Sequence, residues 1–132
     1  MTTGYAANLR NAQLDAITTF AGNAALLRIY NGTRPATGGA ATTLLGTFTL
    51  GSPLAAGAVA GVLSPTLPAD TTGAAAGTAT WFRIVKADGT THVLDGSAGT
   101  SGSGADLILN TTTVSVGVAL AITAFTITRG NP

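Results

Sequence analysis

Cysteine and glutamate do not occur in this chain, histidine occurs once, at His92, and the acids are five aspartates. Each shortage closes a class of function. Without cysteine there is no disulfide framework and no thiol nucleophile, although the redox compartment is left open. One imidazole and scattered carboxylates cannot assemble the usual zinc sets within one chain, and no acidic loop has the D-x-D-x-D-G form of a calcium site. Charged residues make up 8% of the 132 positions, against about 25% in an average soluble protein. The six basic residues, Arg10, Arg28, Arg34, Arg83, Lys86 and Arg129, form no stripe that would track a phosphate backbone. The longest apolar stretch, Leu54 to Leu63, is mostly Ala, Gly and Val between Pro53 and Pro65, far short of the roughly 20 residues that cross a bilayer. The first fourteen residues lack the basic and apolar blocks of a secretory signal, which predicts synthesis in a cytoplasm.

What remains is 45% hydrophobic residues set among Thr, Ser, Asn, Ala and 18 glycines. A 12.9 kDa chain of this kind fits one domain and buries roughly two-thirds of its unfolded surface. The spacing of Leu9, Ala12, Ala16 and Phe20, flanked by Leu14 and Ile17, predicts a helix over Asn8–Phe20. Asn8 is the expected N-cap and Gly22 the expected left-handed stop. The apolar stripe is expected to lie on a sheet or on a neighbouring subunit, so residues 1–23 read as a helix or arm and 24–132 as one β-sandwich domain.

After Asn23 the pattern changes to short alternating runs. Leu26–Tyr30 places Leu27 and Ile29 on one side and ends at the turn Asn31-Gly32. Thr42–Leu50 alternates through Leu44, Phe48 and Leu50, and Ala58–Leu63 is a weaker strand because small residues pack poorly on a pleat. Asp70–Gly77 reads as a loop. Thr78–Asp95 is a hairpin about Ala87-Asp88-Gly89, a sequence that accepts the positive angles of tight turns. The run GSAGTSGSG, 96–104, reads as a mobile tip. Strands are then expected over Asp106–Leu109, over Thr113–Val118 with Val114, Val116 and Val118 on one face, and over Leu120–Thr128 with Phe125 and Ile127 inward. Many short strands after one helix predict a mainly β fold, an antiparallel β-sandwich of jelly-roll type.

The chemistry-bearing residues are few. His92 and Asp95 differ by three positions, which in a regular strand sends them to opposite faces, and no nucleophile is placed beside them. No catalytic, cofactor-binding or metal-ligating residue is therefore assigned, and an enzyme is the least favoured reading. The glycine-rich run lacks the G-K-[ST] ending of a phosphate loop. Trp81 could stack on a sugar, but its hydrophobic strand favours core packing. Asn31-Gly32-Thr33 and Asn110-Thr111-Thr112 match the glycosylation sequon and read as turns. Leu9, Phe20, Tyr30, Arg34 and Arg129 are the candidate interface residues, the two arginines as docking points for carboxylates.

Three segments, LRIYNGTRPATGGAATTLL (27–45), GTATWFRIVKADGTTHVLDGSAG (77–99) and ITAFTITRGNP (122–132), resemble small structural proteins of tailed bacteriophages and prophages. The likeness runs from about the N-terminal helix to the end and involves whole segments rather than a catalytic motif. It implies a non-enzymatic virion component, foremost a capsid decoration or cement protein. Such a protein would sit on the outside of the major capsid protein lattice as a homo-oligomer, with no cofactor and no nucleic acid or membrane partner. It would be made in the host cytoplasm and end on the virion surface. A tail-associated subunit is the alternative within the same setting, and a carbohydrate-binding module using Trp81, Tyr30 and the Arg34 loop is the alternative outside it.

Overall fold

The computed structural model describes residues 3–129; the outermost ends of the two expected spans, residues 1–2 and 130–132, lie outside the described residues. A helix α1 (Ala7–Ala21) is followed by β1 (Leu26–Asn31), β2 (Leu44–Thr49), β3 (Val62–Leu63), β4 (Thr71–Thr72), β5 (Gly77–Val85) and β6 (His92–Gly99). Then come β7 (Leu107–Leu109), β8 (Thr113–Val114), β9 (Ala119–Leu120), β10 (Ile122–Phe125) and β11 (Ile127–Thr128). The fold is mainly β with one N-terminal helix.

The main sheet has the order β10-β7-β6-β5-β1-β2, with β8 pairing the start of β5. Two short ladders, β3 with β11 and β4 with β9, stand apart from it. The expectation of a wholly antiparallel sheet is corrected. β6 and β7 run parallel through Ala98↔Leu107 and Gly99↔Ile108, so the sheet is mixed. The cause lies in the glycine-rich run, expected as a mobile tip. Its first half continues β6 as far as Gly99, and only residues 100–106 loop back to enter β7 in the same direction.

Gly96 shows why that run needs glycine. A Cβ built there would lie 2.5 Å from Phe82 Cε1 and 3.1 Å from Asp106 Oδ2. Phe82 cannot yield easily, being buried and packed edge to face on Phe125 with centroids 5.2 Å apart. Gly96→Ala is expected to cost about 1–3 kcal/mol of stability through overpacking, read as a lower urea midpoint with an unchanged slope. An unchanged midpoint would show that the ring moves aside freely.

The core sits on one face of the sheet, where Leu27, Ile29, Leu45, Phe48, Phe82, Ile84, Leu107 and Leu120 are buried. The alternation of β1 and the 78–95 hairpin are found as expected. In β2 the inward residue is Leu45, not Leu44, because the pairing with β1 shifts register between Ile29 and Tyr30 and a slip of one residue exchanges faces. The weaker strand over 58–63 shrinks to β3, and the expected loop over 70–77 contains β4. Thr113–Val118 is strand only in β8. The chain then turns, with the Val118 amide donating to the Ser115 carbonyl, and Val116 points to solvent. Leu120–Thr128 divides among β9, β10 and β11, with Phe125 inward and Ile127 partly buried between two core clusters.

The helix turns an unexpected face inward. Leu14 and Ala21 are buried, with Ile17 partly so, while Leu9 and Phe20 remain 48% and 49% exposed. The inward face also carries polar anchors: Asp15 Oδ1 accepts from the Ala58 amide at 2.7 Å and Asn11 Oδ1 from the Gly61 amide at 2.9 Å. Hydrogen bonds to otherwise unpaired loop amides thus outweigh the apolar count of the opposite stripe. Asn8 is not the N-cap; Ala6 precedes the helix without a side-chain cap, and the ties to the 58–61 loop come in the second and third turns, at Asn11 and Asp15. Gly22 ends the helix at φ +71°, as expected, with its amide on the Thr18 carbonyl.

Candidate functional site

The second face of the central strands carries a small polar and aromatic assembly. Register places Trp81 opposite Tyr30 and Ser97, and Arg83 opposite Arg28 and Asp95. Trp81 stacks on Tyr30 with ring centroids 4.5 Å apart, and its Nε1 donates to the Asn31 carbonyl (3.0 Å) and Thr42 Oγ1 (3.1 Å). The loop between β1 and β2 therefore closes over this face. Trp81 is 1% and Tyr30 5% exposed, so neither ring presents a face on which a sugar could stack.

Beside the tryptophan lies a strong ion pair. Arg83 Nε and Nη2 donate to the two Asp95 oxygens at 2.7 and 3.0 Å, and the guanidinium rests 5.2 Å from the Trp81 ring centroid. Gly38 in the covering loop donates its amide to Asp95 Oδ2 at 3.2 Å. His92 comes to the same carboxylate, with Nε2 3.1 Å from Oδ1, though not aligned as a hydrogen bond. The expectation that His92 and Asp95 point apart is corrected. Ile84 pairs with Leu94 but Val85 pairs with His92, so Val93 is an extra residue that restores the two side chains to one side.

Burial pushes the Asp95 carboxyl up, yet the Arg83 hydrogen bonds and charge, the Gly38 amide and the His92 contact outweigh it and hold the group below its ordinary value. The same pairing raises Arg83. Chemically this is a clamp. Arg83 of β5 engages both carboxylate oxygens and the Gly38 amide ties the loop to Oδ2, so Asp95 positions the loop on the sheet.

A second feature lies at the β6 edge. From His92 to Ser97 this strand has β5 on one side, whereas β7 joins it only at Ala98 and Gly99. Between the open edge and the Phe125–Thr128 segment is a cavity of about 250 Å³, floored by Phe82 and Phe125 and bordered by Asp106. Asp106 Oδ2 accepts from both the Ser97 amide and hydroxyl, each at 3.0 Å. Asp106 was not among the sequence candidates. Its only signal is its position at the end of the glycine-rich run, because the parallel pairing that opens the notch leaves no mark in the residue pattern.

Of the five candidate interface residues, Leu9, Phe20 and Arg34 are exposed, Tyr30 is covered, and Arg129 is exposed but engaged. Arg129 Nε donates to Gln13 Oε1 at 3.1 Å and its guanidinium lies 5.2 Å from the Tyr5 ring centroid. Lys86 Nζ sits 4.3 Å from the Phe20 ring centroid, at the end of the outward helix stripe. The structure does not bring these residues into one patch around a common ligand. Among the described residues no three His or Asp side chains converge as metal ligands, and no helix is long and apolar enough to cross a membrane.

Comparisons with family models, curated proteins and solved structures match nothing to this chain.

Proposed function

We propose that this protein is a non-enzymatic virion structural component, a capsid decoration subunit that binds the outside of the major capsid protein lattice as a homo-oligomer. As part of that reading, the curled sheet and its two satellite ladders are taken as a small sandwich of jelly-roll type. The observation that carries the proposal is where the scarce charges go. Of six basic and five acidic side chains, only Arg34 and Asp70 lack an intramolecular contact among the described residues. Arg28 is held by the Gly89 carbonyl, Arg10 by that of Arg129, Asp15 by the Ala58 amide, and Asp88 by the amides of Thr90 and Thr91.

The outward surface left over is mainly hydroxyl, methyl and backbone, with the exposed stripe of Leu9, Ala12, Ala16 and Phe20 upon it. Interface cores are depleted of charge in the same manner. A small subunit that touches several shell subunits at once gains affinity through effective concentration, so modest contacts suffice. Such a surface on a free monomer of low net charge invites association.

The test uses shells assembled without this protein. Added subunit is expected to bind them saturably at a fixed ratio to the major capsid protein and to raise the temperature at which they rupture. Unchanged rupture together with no binding removes the decoration role. Density for the chain on the tail of an intact particle would replace it with the tail reading.

A further inference from the structure

We propose that the notch beside β6 receives the Thr33–Pro35 segment of a second copy of this chain, with Arg34 of one protomer on Asp106 of the next. This deepens the oligomer part of the reading above and does not depend on capsid binding. Ser97 turns its amide away from β5, toward Asp106. In an antiparallel pair, residues two apart along a strand turn their amide and carbonyl to the same edge. Asp95, two residues earlier and likewise paired only to β5, therefore presents its N–H and C=O to the open edge of β6. An extended segment laid along that edge supplies the missing partners by strand addition.

The cavity of about 250 Å³ falls below the roughly 300–1,000 Å³ of pockets that hold cofactors or drug-sized ligands. It suits the short stretch of backbone about Arg34 rather than a whole drug-sized molecule, with the Arg34 side chain running along the rim to Asp106. Its apolar floor of Phe82 and Phe125 is continuous with the core, while the Thr126 and Thr128 side of the rim is polar.

Charge complementarity selects the occupant. Asp106 is exposed, borders the notch, and has no cation beside it among the described residues. Arg34 is the one basic side chain with no contact of its own among them. It precedes Pro35, and a residue before proline is held out of the helical region in extended backbone, the form that strand addition requires. The loop cannot fall back freely, because Trp81 and Asp95 hold its base at Thr42 and Gly38. A tethered loop bearing a cation without an ion pair and a notch bearing an anion with no cation beside it are thus carried on one molecule. Because the two surfaces differ, the contact is heterologous and generates a ring if its rotation closes.

Native mass spectrometry and sedimentation of the purified full chain, with no shell present, test this. The wild type is expected to form a closed oligomer, and Arg34→Asp is expected to be a monomer with an unchanged circular dichroism spectrum. Combining Arg34→Asp with Asp106→Arg is expected to restore the oligomer. Amide exchange at Asp95 should slow in the wild-type oligomer and quicken in Arg34→Asp, which reads the notch even where Asp106→Arg alone disturbs its Ser97 bonds. A wild-type monomer at all concentrations overturns the proposal, as does an oligomer that survives Arg34→Asp or leaves the Asp95 amide unprotected. Failure of shell binding with the ring intact would count against decoration alone.

Discussion

Trp81→Ala is expected to remove about 3–5 kcal/mol of stability, the range for deleting a large buried aromatic. Total stabilities of domains lie at about 5–15 kcal/mol, so the variant approaches the unfolding threshold. The indole stacks on Tyr30, lies beside the Arg83 guanidinium and donates to both Asn31 and Thr42. It is therefore the fastening between the sheet and the 32–43 loop as well as a packing element. Trp81→Phe separates these roles. It retains an aromatic ring against Tyr30 and loses the two hydrogen bonds, each worth about 0.5–1.5 kcal/mol. Thermal or urea unfolding measures the totals, and amide exchange over 32–43 reports the loop. The expected order is wild type, then Phe, then Ala, with loop protection already reduced in the Phe variant. If Trp81→Ala left the loop as protected as before, the assignment of Trp81 as its anchor would fail.

That a tryptophan in a hydrophobic strand would be buried was legible from its neighbours; what covers it was not. The 78–95 hairpin was legible because alternation and the Asp88-Gly89 turn agree, so local propensity and tertiary pairing pull the same way. The helix was legible in extent but not in orientation. Periodicity counted Leu9, Ala12, Ala16 and Phe20, whereas the fold spends the opposite face on Leu14, Ala21 and the loop-binding Asn11 and Asp15. Pattern reading gives polar residues no inward value, although two amides from distant loops need acceptors. The notch escaped for a further reason: parallel pairing joins Ala98 and Gly99 of β6 to Leu107 and Ile108 of β7, and the two small residues announce neither strand nor direction. His92 and Asp95 were set on opposite faces by a rule that holds for regular strands, and the one extra residue at Val93 reverses its conclusion.

The ion pair beneath the loop sets the second large effect. Asp95 is 3% and Arg83 11% exposed in their side chains, so removing one partner leaves a desolvated charge behind. Breaking a buried pair in this way costs about 3–5 kcal/mol, and Asp95→Ala is expected near the low end because the guanidinium keeps some contact with water. Replacing both partners with apolar residues of similar volume is expected to cost less than Asp95→Ala alone, since no orphaned charge remains. The pair also imposes a pH dependence whose sign follows from the depressed folded-state value of Asp95. Its contribution is complete above the unfolded carboxyl value of about 3.9 and disappears as pH falls through the lower folded value. Asp88, drawn down to about 2 by its Thr91 hydroxyl bond, then the Thr91 and Thr90 amides, works in the same acid window but stands on the hairpin turn, apart from the loop. Urea unfolding at pH 6 and pH 3 therefore distinguishes them. The wild type should lose stability between the two, and Asp95→Asn should lose distinctly less, keeping only the Asp88 part of the slope. An equal acid loss in Asp95→Asn would mean that the carboxylate beneath the loop carries no net pairing energy, and that the clamp is held by Trp81 alone.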